Sequence, residues 1–233
     1  MSRPRTHHQW DMPVARWFGW TASDSPPAPA LPPGLEAGLK RRLSPLAKTV
    51  LGAAHTCAGD LSSVRIVFAS RHGELMRTTQ MLQALNAAEE VSPMAFSTSV
   101  LNATAGLYSI AHGDHAPSTA ISAGVETLSA GLLEAHLQWQ HEPGPPVLFL
   151  YADEPAPAIY GAVAQDGSSA CVLALLLNDN SAYNLRCECA PAHAAATDAP
   201  QHSLFLACLR TNKATHWHGG RESWKWSMGP PGR

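Results

Sequence analysis

This sequence does without long apolar runs. No stretch of about 18 uninterrupted apolar residues occurs, which excludes a helical membrane span. Charge is scarce as well: 15% of the 233 residues are charged and the formal net charge is −2. A general nucleic-acid binder needs a basic face, so that class is excluded. There is no GxxxxGK[ST] or GxGxxG to cradle a nucleotide, and no GxSxG to mark a hydrolase nucleophile. The cysteines, Cys57, Cys171, Cys187, Cys189 and Cys208, are odd in number and irregularly spaced. The opening MSRPRTHHQWDMP has no apolar signal-peptide core. Together these features imply reduced thiols in a cytoplasmic protein. Twelve histidines are present, and three groups carry ligand types: His112-x-x-His115 with Asp114, Cys187-x-Cys189 with His193, and His216-x-His218. None forms the two well-spaced pairs of a zinc site, so they read as loop and surface side chains, and neither a metal nor another cofactor is expected.

What is there reads as an α/β protein. VARWFGW (14–20) is a first strand whose tryptophans serve packing, and SDSPPAPALPPG (23–34) is a Pro-rich linker. Ser44-Pro45 starts a helix that buries Leu46, Val50, Ala53, Ala54 and Cys57 on one face. VRIVFAS (64–70) suits a strand covered on both faces, and a helix over 74–86 buries Leu75, Leu82 and Leu85. Ser92-Pro93 opens a helix-prone segment reaching His112, ended by Gly113. APSTAIS (116–122) is a short strand, Ala123-Gly124 a tight turn, and 126–140 a helix with Leu128, Leu132, Leu133 and Leu137 at helical spacing. VLFLY (147–151) is another central strand. Residues 158–164 and 169–177 read as a strand pair across Gln165-Asp166-Gly167. Leu185–Cys189 and Ser203–Leu209 add further strands, 191–200 is an Ala-rich loop, and the Trp-rich end beyond Thr211 has no assigned structure. Alternation of strands and helices predicts a mixed, mainly parallel sheet with helices on both faces.

The bend between the strand at 116–122 and the helix at 126–140 carries the functional reading. A strand turning sharply into a helix is where enzymes hold a nucleophile, because helix N-terminal amides favour an anion. The words around that bend are Asn102-Ala103-Thr104-Ala105-Gly106, then Ser109-Ile110, then Pro117-Ser118-Thr119-Ala120-Ile121-Ser122-Ala123-Gly124-Val125. In order and spacing this resembles the N-terminal half of β-ketoacyl synthases, in the thiolase-like superfamily. The resemblance covers roughly 43–178. It is greatest to the short chain-length-factor-type proteins of aryl polyene and polyketide pathways. It implies a thiolase-like half-fold, with 1–34 as N-terminal strand and linker, 35–190 as the synthase-like domain, and 191–233 as an extra strand and tail.

The resemblance also implies what is wanting. Active relatives have a Gly-Pro-Ser strand and a nucleophilic Cys at the bend; here Ala116 replaces the Gly and Val125 the Cys. Valine offers no lone pair for a thioester, and the family's other catalytic pair lies in a second half that 233 residues do not reach. Ser122 should point along the strand, and Glu126 is explained by the helix dipole that stabilises a carboxylate there. The implied role is a non-catalytic subunit in fatty acid or polyketide assembly. Its partner would be a ketosynthase subunit or a second copy, and an acyl-carrier protein would meet the basic run Lys40, Arg41 and Arg42, extended by Arg71 and Arg77. That run also reads as a solvated helix face. Two other readings stand beside this one: a small acyltransferase or hydrolase reusing the half-fold, and a stand-alone module binding an acyl chain or carrier protein.

Overall fold

Two apolar runs, VLFLYAD and CVLALLL, need cover on both sides, and the chain supplies it with helices on either face of one sheet. A computed structural model describes residues 7–24, 27–59, 61–161, 169–192, 194–219 and 221–231. Its elements run β1 (His8–Thr21), α1 (Ala37–Arg42), α2 (Pro45–Ala58), β2 (Arg65–Ala69), α3 (Leu75–Asn86), α4 (Pro93–Ser97), α5 (Ala103–His112), β3 (Ser118–Ile121), α6 (Thr127–His141), β4 (Val147–Asp153), β5 (Cys171–Leu177), β6 (Tyr183–Pro191), α7 (Gln201–Thr211), β7 (Thr215–His218) and β8 (Glu222–Gly229). Short 3-10 turns lie at Gly124–Glu126 and Ala158–Tyr160.

The eight strands form one sheet in the order β3-β2-β4-β5-β1-β6-β8-β7. The sheet is mixed, with helices on both faces, as expected, but the balance tips away from parallel. Among the described residues only β2 pairs in parallel, with β3 and β4; the other pairs are antiparallel. The parallel part is the part whose strands are joined through helices, since a parallel pair needs a crossover.

Each face has its own core. On one, α2 and α5 bury Val50, Leu51, Ala54 and Tyr108 against Ile66, Phe68, Leu148 and Leu150. On the other, α6 and α7 bury Leu128, Leu132, Phe205 and Leu209 against Val67, Phe149, Leu175 and Trp226. Ser44 caps α2 by accepting from the Ala47 amide at 2.9 Å. Cys57 lies in that helix's buried face, as its spacing implied. Arg65 is held by the carbonyls of Gln138, Glu142 and Pro145, three acceptors beside the last turn of α6.

Several expectations are corrected. The first strand begins at His8 rather than 14, because the early half of β1 pairs with β6 while the later half pairs with β5, across a register shift between Val14 and Arg16. The helix foreseen from 92 to 112 is two, α4 and α5. Hydroxyls of Ser97, Thr98 and Ser99 bond back to the carbonyls of Met94 and Phe96, competing with continued helix. On α3, Leu82 and Leu85 are exposed, because nothing among the described residues covers that face. The expected strand at 158–164 is a 3-10 turn over 158–160, and 162–168, with its Asp-Gly turn, lie outside the described residues. β4 and β1 already occupy both sides of β5, so it has no free edge for such a partner. Ser203–Leu209 is not a strand: it belongs to α7, whose buried Gln201, His202, Phe205, Leu206, Cys208 and Leu209 follow helical spacing. The Trp-rich end forms β7 and β8, with Trp224, Trp226 and Met228 buried at a period of two.

α6 approaches the sheet closely at Gly131. A Cβ there would meet Phe149 Cε2 at 2.6 Å and the Ala69 Cβ at 2.7 Å. Gly131→Ala is expected to destabilise the fold by about 1–3 kcal/mol through overpacking, read as a lower midpoint in denaturant with unchanged slope.

Candidate functional site

The parallel strands β2, β3 and β4 end together, at Ser70, Ile121 and Asp153, and α/β proteins place ligands at such ends. One carboxylate organises this edge. Asp153 accepts from Ser70 Oγ at 3.0 Å, the Arg71 amide at 2.9 Å, the His72 amide at 2.9 Å and Tyr151 OH at 3.0 Å. Ser70 Oγ in turn accepts from the Gly73 amide at 2.8 Å. The turn from β2 into α3 is thereby fixed, as a buried carboxylate requires full hydrogen bonding.

The bend follows β3. Gly124 takes φ +60°, which favours glycine. Thr127 Oγ1 closes the turn: it accepts from the Ala123 amide at 2.9 Å and donates to the Gly124 carbonyl at 2.7 Å. Val125 is 50% exposed at the start of the helix. Gln201 of α7 reaches across. Its Oε1 accepts from the Ser129 amide at 3.1 Å and its Nε2 donates to Ser129 Oγ at 2.8 Å, so a side chain satisfies one of the free amides of α6.

Val125 and Gly124 face Arg71, His72, Tyr151 and Asp153 across a cavity of about 90 Å³. Residues 197–202 and Trp217 form its far wall. The 197–202 wall is held by Trp217 Nε1 donating to the Ala199 carbonyl at 3.1 Å and by the Thr197 amide donating to the His218 carbonyl at 2.8 Å. Small-molecule pockets usually span roughly 300–1,000 Å³, so this space does not accept a long chain. Sequence reading missed the wall, taking 191–200 as loop. The signal available was ESWKWSMG, whose alternating tryptophans mark the strand that brings Trp217 into place.

Of the residues singled out from sequence, the structure gathers Ser122, Gly124, Val125 and Glu126 at the bend. Ser122 Oγ donates to the Arg71 carbonyl at 3.1 Å. Pro117 and Ser118 lie at the opposite end of β3, where the Pro117 carbonyl accepts from Ile66 N at 3.0 Å. Asn102 immediately precedes α5 and Gly106 lies within it; α5 packs on the α2 face of the sheet. Lys40, Arg41 and Arg42 form the exposed last turn of α1. Arg77 does not extend that run as a free cation: it donates to the Arg42 carbonyl at 3.1 Å, bonds Thr98, and lies 3.9 Å from Glu74.

Glu126 corrects its sequence reading. The helix start was expected to stabilise its carboxylate, yet burial, with Glu222 nearby, raises its pKa above the usual 4.5, while Arg221 draws it partly back. His112 stacks on Tyr108 with ring centroids 4.0 Å apart, and Asp114 accepts from the Val64 amide at 2.8 Å. Among the described residues no group of three or more His, Cys, Asp or Glu is placed to hold a metal; His193 lies outside them. The five thiols are buried, and burial pushes Cys57 up to about 12, as burial and then Glu222 do Cys189.

Two outcomes follow from this geometry. Val125→Cys places a thiol at an exposed helix start, so the folded variant is expected to take one iodoacetamide adduct by intact mass while the five buried native thiols take none. Glu126→Gln is expected to unfold at higher temperature than the parent at neutral pH. A raised folded pKa leaves the acid's contribution intact below the unfolded value of 4.5 and loses it as pH rises through the folded value. The gap between the two melting curves should therefore close in acid.

Comparison with known proteins adds the following. The sequence model of the family described as "Beta-ketoacyl synthase, N-terminal domain" matches residues 8–227. Among solved structures, a chain from the ketosynthase (ApeO) in complex with its chain length factor (ApeC) from Xenorhabdus doucetiae is similar at 26% identity and TM-score 0.76. The match covers 94% of this chain and 99% of that one. A β-ketoacyl synthase from Burkholderia phymatum STM815 is similar in fold at 12% identity and TM-score 0.52, over 78% of this chain and 56% of that one. This chain thus spans a little over half of the second relative. No curated protein matches. No helix of the described residues is long and apolar enough to cross a membrane.

Proposed function

The chain belongs to the β-ketoacyl synthase N-terminal domain family, and from that premise we propose that it is a non-catalytic, chain-length-factor-like subunit that pairs with a ketosynthase in acyl-chain assembly. The observation that carries the reading is Val125, a hydrocarbon at the bend where the chemistry calls for a thiolate. The cavity beside it, about 90 Å³, is small for an acyl chain. The pathway proposed is of aryl polyene or polyketide type. The pairing with a ketosynthase is supported by the similarity to a chain of a complex of a ketosynthase with its chain length factor.

Two surface features favour a partner. β3 ends the sheet, so one of its edges is unpaired among the described residues. Pro117 and Ile121 direct their carbonyls to β2, which leaves the amides of Ser118 and Ala120 facing outward. Helices α3 and α4 also expose Leu85 at 60% and Phe96 at 66%. An acyl-carrier protein, acidic in charge, is the proposed visitor to Lys40, Arg41 and Arg42, whose side chains are solvent-facing.

The test is co-expression with a ketosynthase encoded beside it. A stable one-to-one complex by native mass spectrometry is expected, and Ser118→Pro, which removes an outward amide without touching the β2 ladder, should abolish it while leaving the thermal unfolding of the isolated chain unchanged. A chain that stays monomeric beside every neighbouring synthase contradicts the reading. A covalent mass increment on the unaltered chain after exposure to an acyl-carrier thioester would instead establish the acyltransferase alternative.

A further inference from the structure

On the far side of the bend from Val125 lies a second, larger cavity of about 480 Å³. One wall is a helical stripe, Ala130, Leu133 and Leu137 of α6, with Leu133 and Leu137 exposed. The other is aromatic. Trp10 and Trp224 meet edge to face with centroids 5.9 Å apart, and Trp10 lies 5.8 Å from the His136 ring. Trp224 is only 5% exposed, yet its Nε1 has no hydrogen-bond partner, and neither do Trp10 Nε1 and His136 Nδ1. These three nitrogens are buried and without a partner among the described residues, although the His136 ring is also held by a hydrogen bond with the Asp11 backbone.

Two carboxyl groups, Glu126 and Glu222, lie near each other in the lining of the cavity. Glu222 accepts from Cys189 Sγ at 3.3 Å. No ion pair to Glu126 or Glu222 is found among the described residues. No Lys or Arg lines the cavity, and its two histidines are His8 and His136, the latter kept toward its neutral form by burial. The space thus combines two acids, aromatic faces and an aliphatic floor with no Lys or Arg in its lining; Arg221 stands outside that lining, near enough to Glu126 to offset part of its repulsion with Glu222.

We propose that this cavity binds an organic cation carried on an apolar stem, an alkyl- or arylammonium. Its charged end would sit between Glu126 and Glu222 and its stem would lie between the α6 stripe and the two tryptophans. The cation relieves the repulsion between Glu126 and Glu222, and the tryptophan rings cover the stem. The stem displaces water from Leu133 and Leu137. The site does not depend on the partner reading: it uses the opposite side of the bend and none of the β3 edge.

The experiment uses the full chain, labelled with ¹⁵N at tryptophan, and three probes of equal length: n-hexylammonium, n-hexanol and hexanoate. The indole N–H signals of Trp10 and Trp224, identified with Trp10→Phe and Trp224→Phe, report on the site. Saturable shifts of those two signals are expected with hexylammonium, at an affinity about tenfold or more above hexanol, with hexanoate weakest. Glu126→Gln with Glu222→Gln should remove the preference for the ammonium over the alcohol. Equal affinity for ammonium and alcohol in the unaltered chain overturns the proposal, as does the absence of saturable shifts at these two indoles.

Discussion

Burial of β4 and β5 on both faces is the constraint from which the rest follows. Every residue of the two strands is buried, and each strand is paired on both edges. Strands of that kind are stable only between two layers of helix. One layer comes from α2 and α5, the other from α6 and α7. Because α6 must lie flat beneath β2 and β4, it carries a glycine where Phe149 and Ala69 press closest. Its start is then fixed at the ends of the parallel strands, where a bend after β3 is unavoidable.

The bend after β3 is a tightly held turn with a hydrocarbon side chain at its apex. Gly124 makes the turn, Thr127 locks it, and the Asp153 network holds the facing loop rigid. At the position of greatest chemical leverage stands Val125. One amide of the helix start is taken up by Gln201 rather than left for an incoming anion. The 197–202 segment leading into α7, together with Trp217 of β7, closes the space beyond.

The outer surface is correspondingly rich in unfinished features. An unpaired β3 edge, an uncovered face on α3 and α4, and an acid-lined aromatic cavity behind α6 all lie outside the two cores. Exposed apolar side chains in this number are costly for a solitary protein and suit one that assembles. The three features differ chemically. The edge offers backbone hydrogen bonds, the helical face offers area, and the cavity offers charge with aromatic walls.

The sequence by itself determined the local elements whose signals do not depend on distant partners. Ser44-Pro45, the apolar runs of β2, β4 and β5, and Gly113 and Gly124 are read from neighbours a few residues away, because capping, alternation and φ are local quantities. That Val125 carries no nucleophilic atom was legible too, since side-chain identity alone fixes it. Tertiary structure decided the rest. SLFLACL suits strand or helix equally until α7 finds the free face of the sheet. Leu82 and Leu85 have the spacing of a buried stripe but nothing among the described residues to bury them, and Glu126 loses its expected stabilisation to burial beside Glu222, 96 positions away by number. In each case the deciding energy is desolvation by a partner far along the chain, which no window of sequence contains.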